Sequence, residues 1–187
     1  MLLLRSVHGS KLYGLSHANS DNDVFEVYSN EIPSPSKSIL QTIDGKEDVT
    51  RMNLSTFMLY AGRSSHQILE LMFSPYADVD YLYDLRANYQ LNTATFVNLY
   101  SRTIRNFHHK GDKKSKMHAC RLHFNLQEGL EYGRFSPVVT DKQRVWLLNS
   151  DTSEFDKLIE PYYENYELID NKWVSIYRHE SLLGWVD

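Results

Sequence analysis

A single cysteine, Cys120, stands among the 187 residues. One thiol cannot build an internal disulfide framework, and such a chain fits a reducing compartment. Long apolar runs are missing as well. The opening Met1-Leu2-Leu3-Leu4 is cut at once by Arg5. A signal peptide needs roughly 7–15 apolar residues and a spanning helix roughly 20. The expectation is therefore a first strand at the N-terminus and a cytoplasmic protein that makes no use of a membrane. An excess of cations is missing too: 20 Lys and Arg against 24 Asp and Glu give a net charge of −4. That excludes a uniformly basic nucleic-acid coat. Repeats and low-complexity tracts are absent, and only Asn30 to Lys37, with Pro33 and Pro35, reads as a loop. What is present is ordinary globular material, 42% hydrophobic and 24% charged, enough for a real core. Tyrosine is abundant, at thirteen.

The charge is unevenly spread. Arg102, Arg105, Lys110, Lys113, Lys114, Lys116 and Arg121 face a single acid, Asp112, across the same segment. The usual meaning of such a run is a solvated helix face; the sharper one is a site for phosphates. After Val139 acids predominate. Apolar periodicity changes along the chain. Leu2 to His8, Asp21 to Tyr28 and Asp48 to Met52 read as strands. Leu54 to Gly62 and Ile68 to Phe73 read as helices, the second stopped by Pro75. Asp84 to Phe107 and Lys114 to Tyr132 read as longer helices, and Phe155 to Ile169 as a helix kinked at Pro161. Strands precede helices, so the expected class is α+β, a small mixed sheet with flanking helices and a helical C-terminal part. The expected division is a core at 1–85 and a helical region at 86–187.

One stretch carries chemistry: His8-Gly9-Ser10-Lys11-Leu12-Tyr13-Gly14, then Ser20-Asp21-Asn22-Asp23. Gly9-Ser10 between a strand and a helix lets backbone approach a ligand, with a hydroxyl beside it and helix-start amides aimed at an anion. Asp21 and Asp23 lie at i and i+2 of an expected strand, so both carboxylates leave the same face, roughly 6–7 Å apart at Cα. Two such charges repel unless a cation lies between them. Hard oxygen ligands beside a phosphate-binding turn imply Mg²⁺ or Mn²⁺. Without the glycine-serine turn, an Asp-x-Asp is only a polar turn.

These residues carry a resemblance. Gly-Ser-x-x-Tyr-Gly followed by Ser-Asp-x-Asp resembles nucleotidyltransferases of the DNA polymerase β-like superfamily. Asp48-Val49-Thr50-Arg51 is similar to that family's third-carboxylate strand. Ile68-Leu69-Glu70-Leu71-Met72-Phe73 resembles one of its helices, and Lys116-x-His118-x-x-Arg121 its basic helix. The resemblance spans residues 2 to 137. It implies a minimal nucleotidyltransferase: Asp21, Asp23 and Asp48 as catalytic and metal-holding carboxylates, and Gly9, Ser10, Lys116 and Arg121 as nucleotide-binding residues. Mg²⁺ or Mn²⁺ is the implied cofactor and an NTP, ATP as first guess, the implied substrate. An NMP would pass to an acceptor hydroxyl, of a nucleic acid, a protein or a small molecule, with release of pyrophosphate. Asn22 departs from the pattern, which has an apolar residue there, and puts the local packing in question. Glu47 competes with Asp48 for the third position, because strand neighbours face opposite ways and only one can join the site. Asp48 is preferred for its context before Val49-Thr50-Arg51.

Other residues read as structural. His108-His109 diverge on a helix, without the spacing of a zinc site. Glu70 in its apolar helix reads as a buried hydrogen-bonding group, Cys120 as a small core residue and Tyr13 as packing under the turn. Two other functions compete with the transferase: a non-catalytic, antitoxin-like nucleotide-binding module, and an RNA- or DNA-binding protein using the 102–121 segment.

Overall fold

A computed structural model describes residues 1–29, 39–45, 47–164, 166–169 and 172–175. The loop expected at 30–37 lies outside them. The chain divides into two compact units, residues 1–92 with 136–140, and residues 93–135 with 141–187.

The first unit runs β1 (Leu2–Val7), α1 (Gly9–Tyr13), β2 (Asn22–Tyr28), β3 (Ile39–Asp44), β4 (Glu47–Asn53), α2 (Leu54–Gly62), α3 (His66–Phe73), β5 (Ala77–Asp80) and α4 (Tyr83–Ala87). Its sheet has the order β3-β4-β2-β1-β5. β2 and β4 are parallel and the other pairs antiparallel, so the sheet is mixed. Leu4, Val27 and Met52 from the strands and Leu12, Phe57, Ala61, Leu69 and Leu71 from the helices are fully buried. Each large member contributes roughly 1.5–3 kcal/mol by leaving water. Asn53 ends β4 and starts α2, its side chain accepting the Thr56 N–H at 2.8 Å. Arg86 of α4 locks the end of α3 to β5: its guanidinium donates to the Met72 and Ser74 carbonyls and pairs with Asp80.

A ladder of four alternating charges, ended by a hydroxyl, crosses the same sheet. Asp78 on β5 binds Arg5 on β1 at 2.6 Å, and Arg5 lies 3.4 Å from Glu26 on β2. Glu26 binds Arg51 on β4 at 2.9 Å, and Arg51 donates to Thr42 on β3 at 2.6 Å. Every strand contributes one member.

The second unit contains α5 (Thr93–His109), α6 (Lys113–Tyr132), α7 (Asp141–Asn149), α8 (Thr152–Ile159), α9 (Pro161–Glu164) and a hairpin of β6 (Tyr166–Ile169) and β7 (Lys172–Ser175). α5 and α6 pack together and bury Phe96, Tyr100, Ile104, Leu122 and Leu126, with Phe155 and Ile159 of α8. Asp112 caps α6 by accepting the Ser115 N–H at 2.9 Å, and Gly133 ends that helix in the left-handed region. Among the described residues, no helix is long and apolar enough to cross a membrane.

The structure differs from the sequence expectation at several elements. The helix expected over 84–107 is broken: Asn88 caps α4, its side-chain amide donating to the Asp84 carbonyl at 2.7 Å, and α5 starts afresh at Thr93. The helix expected over 155–169 stops before Pro161, which lacks the N–H needed to continue the ladder and opens α9 instead; a strand follows. β3, β5 and α7 carried no clear sequence signal. β5 is a four-residue edge strand with two aspartates, and short polar edges are a common way of blocking unwanted pairing.

Candidate active site

The glycine-serine turn forms where β1 ends. His8 is extended, with φ −134° and ψ −172°, and Gly9 opens α1 at φ +62°. That left-handed conformation suits glycine. The second reason for glycine is contact. A Cβ on Gly9 would lie 1.8 Å from Asp23 Oδ2 and 2.9 Å from its Cγ. The Asp23 carboxylate is thus seated directly against the Gly9 backbone. The His8 N–H also donates to the Asp23 carbonyl at 2.8 Å, tying turn to strand. α1 ends after one turn, with Gly14 left-handed at φ 75°. It is too short to add much dipole, so the expected help from a helix start reduces to the turn itself.

The carboxylates come from parallel neighbours. Asp23 on β2 is the register partner of Asp48 on β4, and Asn22 of Glu47. Paired residues share a face and neighbouring strands run about 4.8 Å apart, so Asp23 and Asp48 stand side by side. Glu47 leaves the opposite face, where its Oε1 accepts from the Asn22 amide at 3.1 Å and lies 3.6 Å from Arg5. Asn22 is equally well placed: its carbonyl oxygen accepts from Lys11 at 3.0 Å. The position that departs from the family pattern therefore bridges α1 to β4 through polar contacts. Asp21 lies just before β2 and is exposed.

Asp48 shows a further feature. Its Oδ2 accepts from Gln41 of β3 at 2.6 Å, while its Oδ1 is buried without a hydrogen-bond partner. An orphaned buried carboxylate oxygen beside a second carboxylate is chemically suited to a hard divalent cation. Among the described residues no three His, Cys, Asp or Glu side chains gather into a ready-made metal cage. Asp21, Asp23 and Asp48, the three carboxylates expected to share a metal, are thus not drawn into one such group. Gln41 was not anticipated from sequence, since its strand was not recognised.

Lys116 and Arg121 belong to the second unit. Lys116 reaches Asp156 of α8 at 2.6 Å, and His108 meets the same carboxylate at 2.7 Å while its other ring nitrogen is 2.7 Å from the Tyr163 hydroxyl. Lys116, above all, holds the Asp156 carboxyl below the usual carboxylate range. Arg121 is buried, at 2% exposure. The two cations share a helix but sit in different surroundings. Burial pushes the Cys120 thiol up to about 12, removing it as a nucleophile at neutral pH.

No curated protein matches the chain significantly. A family model does match, over residues 1–172, and it describes the RNA repair pathway DNA polymerase beta family. The matched span contains the glycine-serine turn, the paired aspartates and the mixed sheet that aligns them, and the chain belongs to that polymerase β-type nucleotidyltransferase family.

Proposed function

We propose that the protein transfers a nucleoside monophosphate from an NTP, ATP as first candidate, to an acceptor hydroxyl and releases pyrophosphate. The observation that carries this reading is the in-register pairing of Asp23 with Asp48, with the Asp23 carboxylate seated on Gly9. Asp21, Asp23 and Asp48 are the proposed holders of Mg²⁺ or Mn²⁺. When bound, the metal supplies charge neutralisation and a lowered acceptor pKa. The chain's own part is positioning. The Gly9-Ser10 backbone approaches the phosphates, the Ser10 hydroxyl lies beside them, and the rigid β2–β4 pair fixes the carboxylates. Positioning and preorganised charge supply most of the rate in such a reaction, and no protein nucleophile is needed. Lys116 is proposed, on its motif match, to meet the phosphates or the acceptor; Arg121, which the same match suggested, is buried in its own helical unit and is left out of that role. The family's description points to RNA repair, which favours an RNA hydroxyl as acceptor.

The test is incubation with each α-labelled NTP, Mg²⁺ or Mn²⁺, and RNAs ending in a 3′-hydroxyl or a 3′-phosphate. Label should enter only the hydroxyl-ended RNA and disappear in Asp23→Asn and Asp48→Asn. Transfer undiminished in both variants would overturn the mechanism. Nucleotide binding without pyrophosphate release from any acceptor would replace it by a non-catalytic module.

A further inference from the structure

Behind the turn lies a polar cluster that the proposed chemistry does not use. Glu70 sits on α3 between Leu69 and Leu71 and is completely buried. Its Oε2 accepts from the Tyr13 hydroxyl at 2.7 Å. The same oxygen lies 3.2 Å from His8 Nε2, in contact but without a hydrogen bond. His8 immediately precedes Gly9. Its ring is wedged against Phe25 at 4.5 Å and meets Tyr13 edge-on at 5.9 Å. Tyr13 is fixed at its other end too, its carbonyl accepting the Val139 N–H at 3.2 Å. One carboxylate from α3 is therefore hydrogen-bonded to the residue that ends α1 and packed against the residue before the turn.

Stability alone does not account for this arrangement. A wholly buried carboxylate gives up its hydration, and an apolar side chain of similar volume often serves a core as well or better. A directed polar contact adds a single geometry. Here the geometry being fixed is that of Gly9, whose α-carbon supports the Asp23 carboxylate. We propose that Glu70 is a positioning residue: acting through Tyr13 and His8, it holds the Gly9-Ser10 turn and Asp23 in the arrangement that receives a nucleotide's phosphates. The nucleotide part of this statement rests on the proposed function; the holding of the turn does not.

Three variants and two readouts test it. Tyr13→Phe removes only the hydroxyl, Glu70→Leu removes the carboxylate, and Glu70→Gln keeps an oxygen able to accept from Tyr13. Amide hydrogen exchange over residues 8–12 reads the turn directly. Calorimetry with ATP and Mg²⁺ reads nucleotide affinity. Tyr13→Phe and Glu70→Leu should each accelerate exchange and weaken ATP binding about tenfold, the effect of one charge-assisted hydrogen bond. Glu70→Gln should stay within about threefold of the wild type in both. If Glu70→Leu does not fold, Tyr13→Phe decides alone. Unchanged exchange in Tyr13→Phe overturns the proposal, and so does faster exchange with unchanged ATP affinity, since the cluster would then be structural only. If the wild-type protein binds no nucleotide, the proposed function fails, and exchange still decides whether Glu70 holds the turn.

Discussion

Replacing Gly9 by alanine should remove activity out of proportion to stability, and Gly45 provides the control. Both glycines are left-handed, at φ +62° and +63°. A Cβ on Gly45 meets nothing within 4 Å, whereas one on Gly9 falls 1.8 Å from Asp23 Oδ2. Gly45→Ala therefore bears the backbone term alone, about 1 kcal/mol once the stiffer unfolded chain is counted. Gly9→Ala bears the same term and must also displace the Asp23 carboxylate or open the turn, a further ~1–3 kcal/mol by analogy with overpacked sites. Displacing by about 1 Å an oxygen proposed to hold the metal should reduce turnover about a hundredfold. Urea unfolding gives the stabilities and label transfer to RNA the activities. Gly45→Ala should keep activity within about twofold while Gly9→Ala loses at least about a hundredfold. Equal stability and equal activity in the two variants would refute the contact between Gly9 and Asp23.

Acid provides a second test. Burial lowers His123 from its usual 6.5 to about 4, so the folded protein prefers the neutral ring, which accepts or donates at Tyr162. That contribution is complete above about pH 6.5 and is lost as the pH falls toward 4, by up to about 3 kcal/mol. Urea unfolding of wild type and His123→Gln should show a steeper loss of stability below pH 6.5 in the wild type; parallel curves would contradict the burial. Cys120, buried and with its thiol pushed up to about 12, should react with a disulfide reagent only in denaturant, and rapid labelling of the native protein would show an accessible thiolate. Lys116→Met should let the Asp156 carboxyl titrate closer to its ordinary value, followed by carboxyl carbon NMR, because Lys116 is the main cause of its depression. If Lys116 also meets the phosphates, KM for the NTP should rise in that variant. An unshifted Asp156 would exclude the pairing, and an unchanged KM would leave Lys116 as a tether of α8.

The parts legible in sequence are those governed by local rules. Gly9-Ser10 between apolar residues and Gly14 marks a strand, a turn and one helical turn, and the structure has them. The alternation from Val24 to Tyr28 and the period from Leu54 to Gly62 likewise survive as β2 and α2. What sequence could not supply was pairing. Whether Asp48 or Glu47 stands beside Asp23 depends on the register of β2 with β4, a long-range choice with no local trace. Gln41 was invisible for the same reason: it reaches Asp48 across a strand that carries a weak pattern on an edge. Glu70 reads from sequence as a buried hydrogen-bonding group, but its neighbours Tyr13 and His8 lie far along the chain and have no local trace. The expected helix over 155–169 shows the converse: its break at Pro161 was legible, but the strand from Tyr166, set by pairing with β7, was not.

The charge ladder has a consequence for fidelity of assembly. Its members leave the sheet on the face opposite Asp23 and Asp48, since Glu26 and Arg51 lie three residues beyond them on the same strands. If β4 slid along β2, Arg51 would leave Glu26, whose mostly buried carboxylate would keep only Arg5 and the Tyr28 hydroxyl, and the loss of one charged partner by a buried carboxylate is penalised. The same slide would part Asp23 from Asp48. The rear of the sheet thus works as a parity check on the front: a chain that mispairs its strands is penalised for it at Glu26, before any nucleotide arrives.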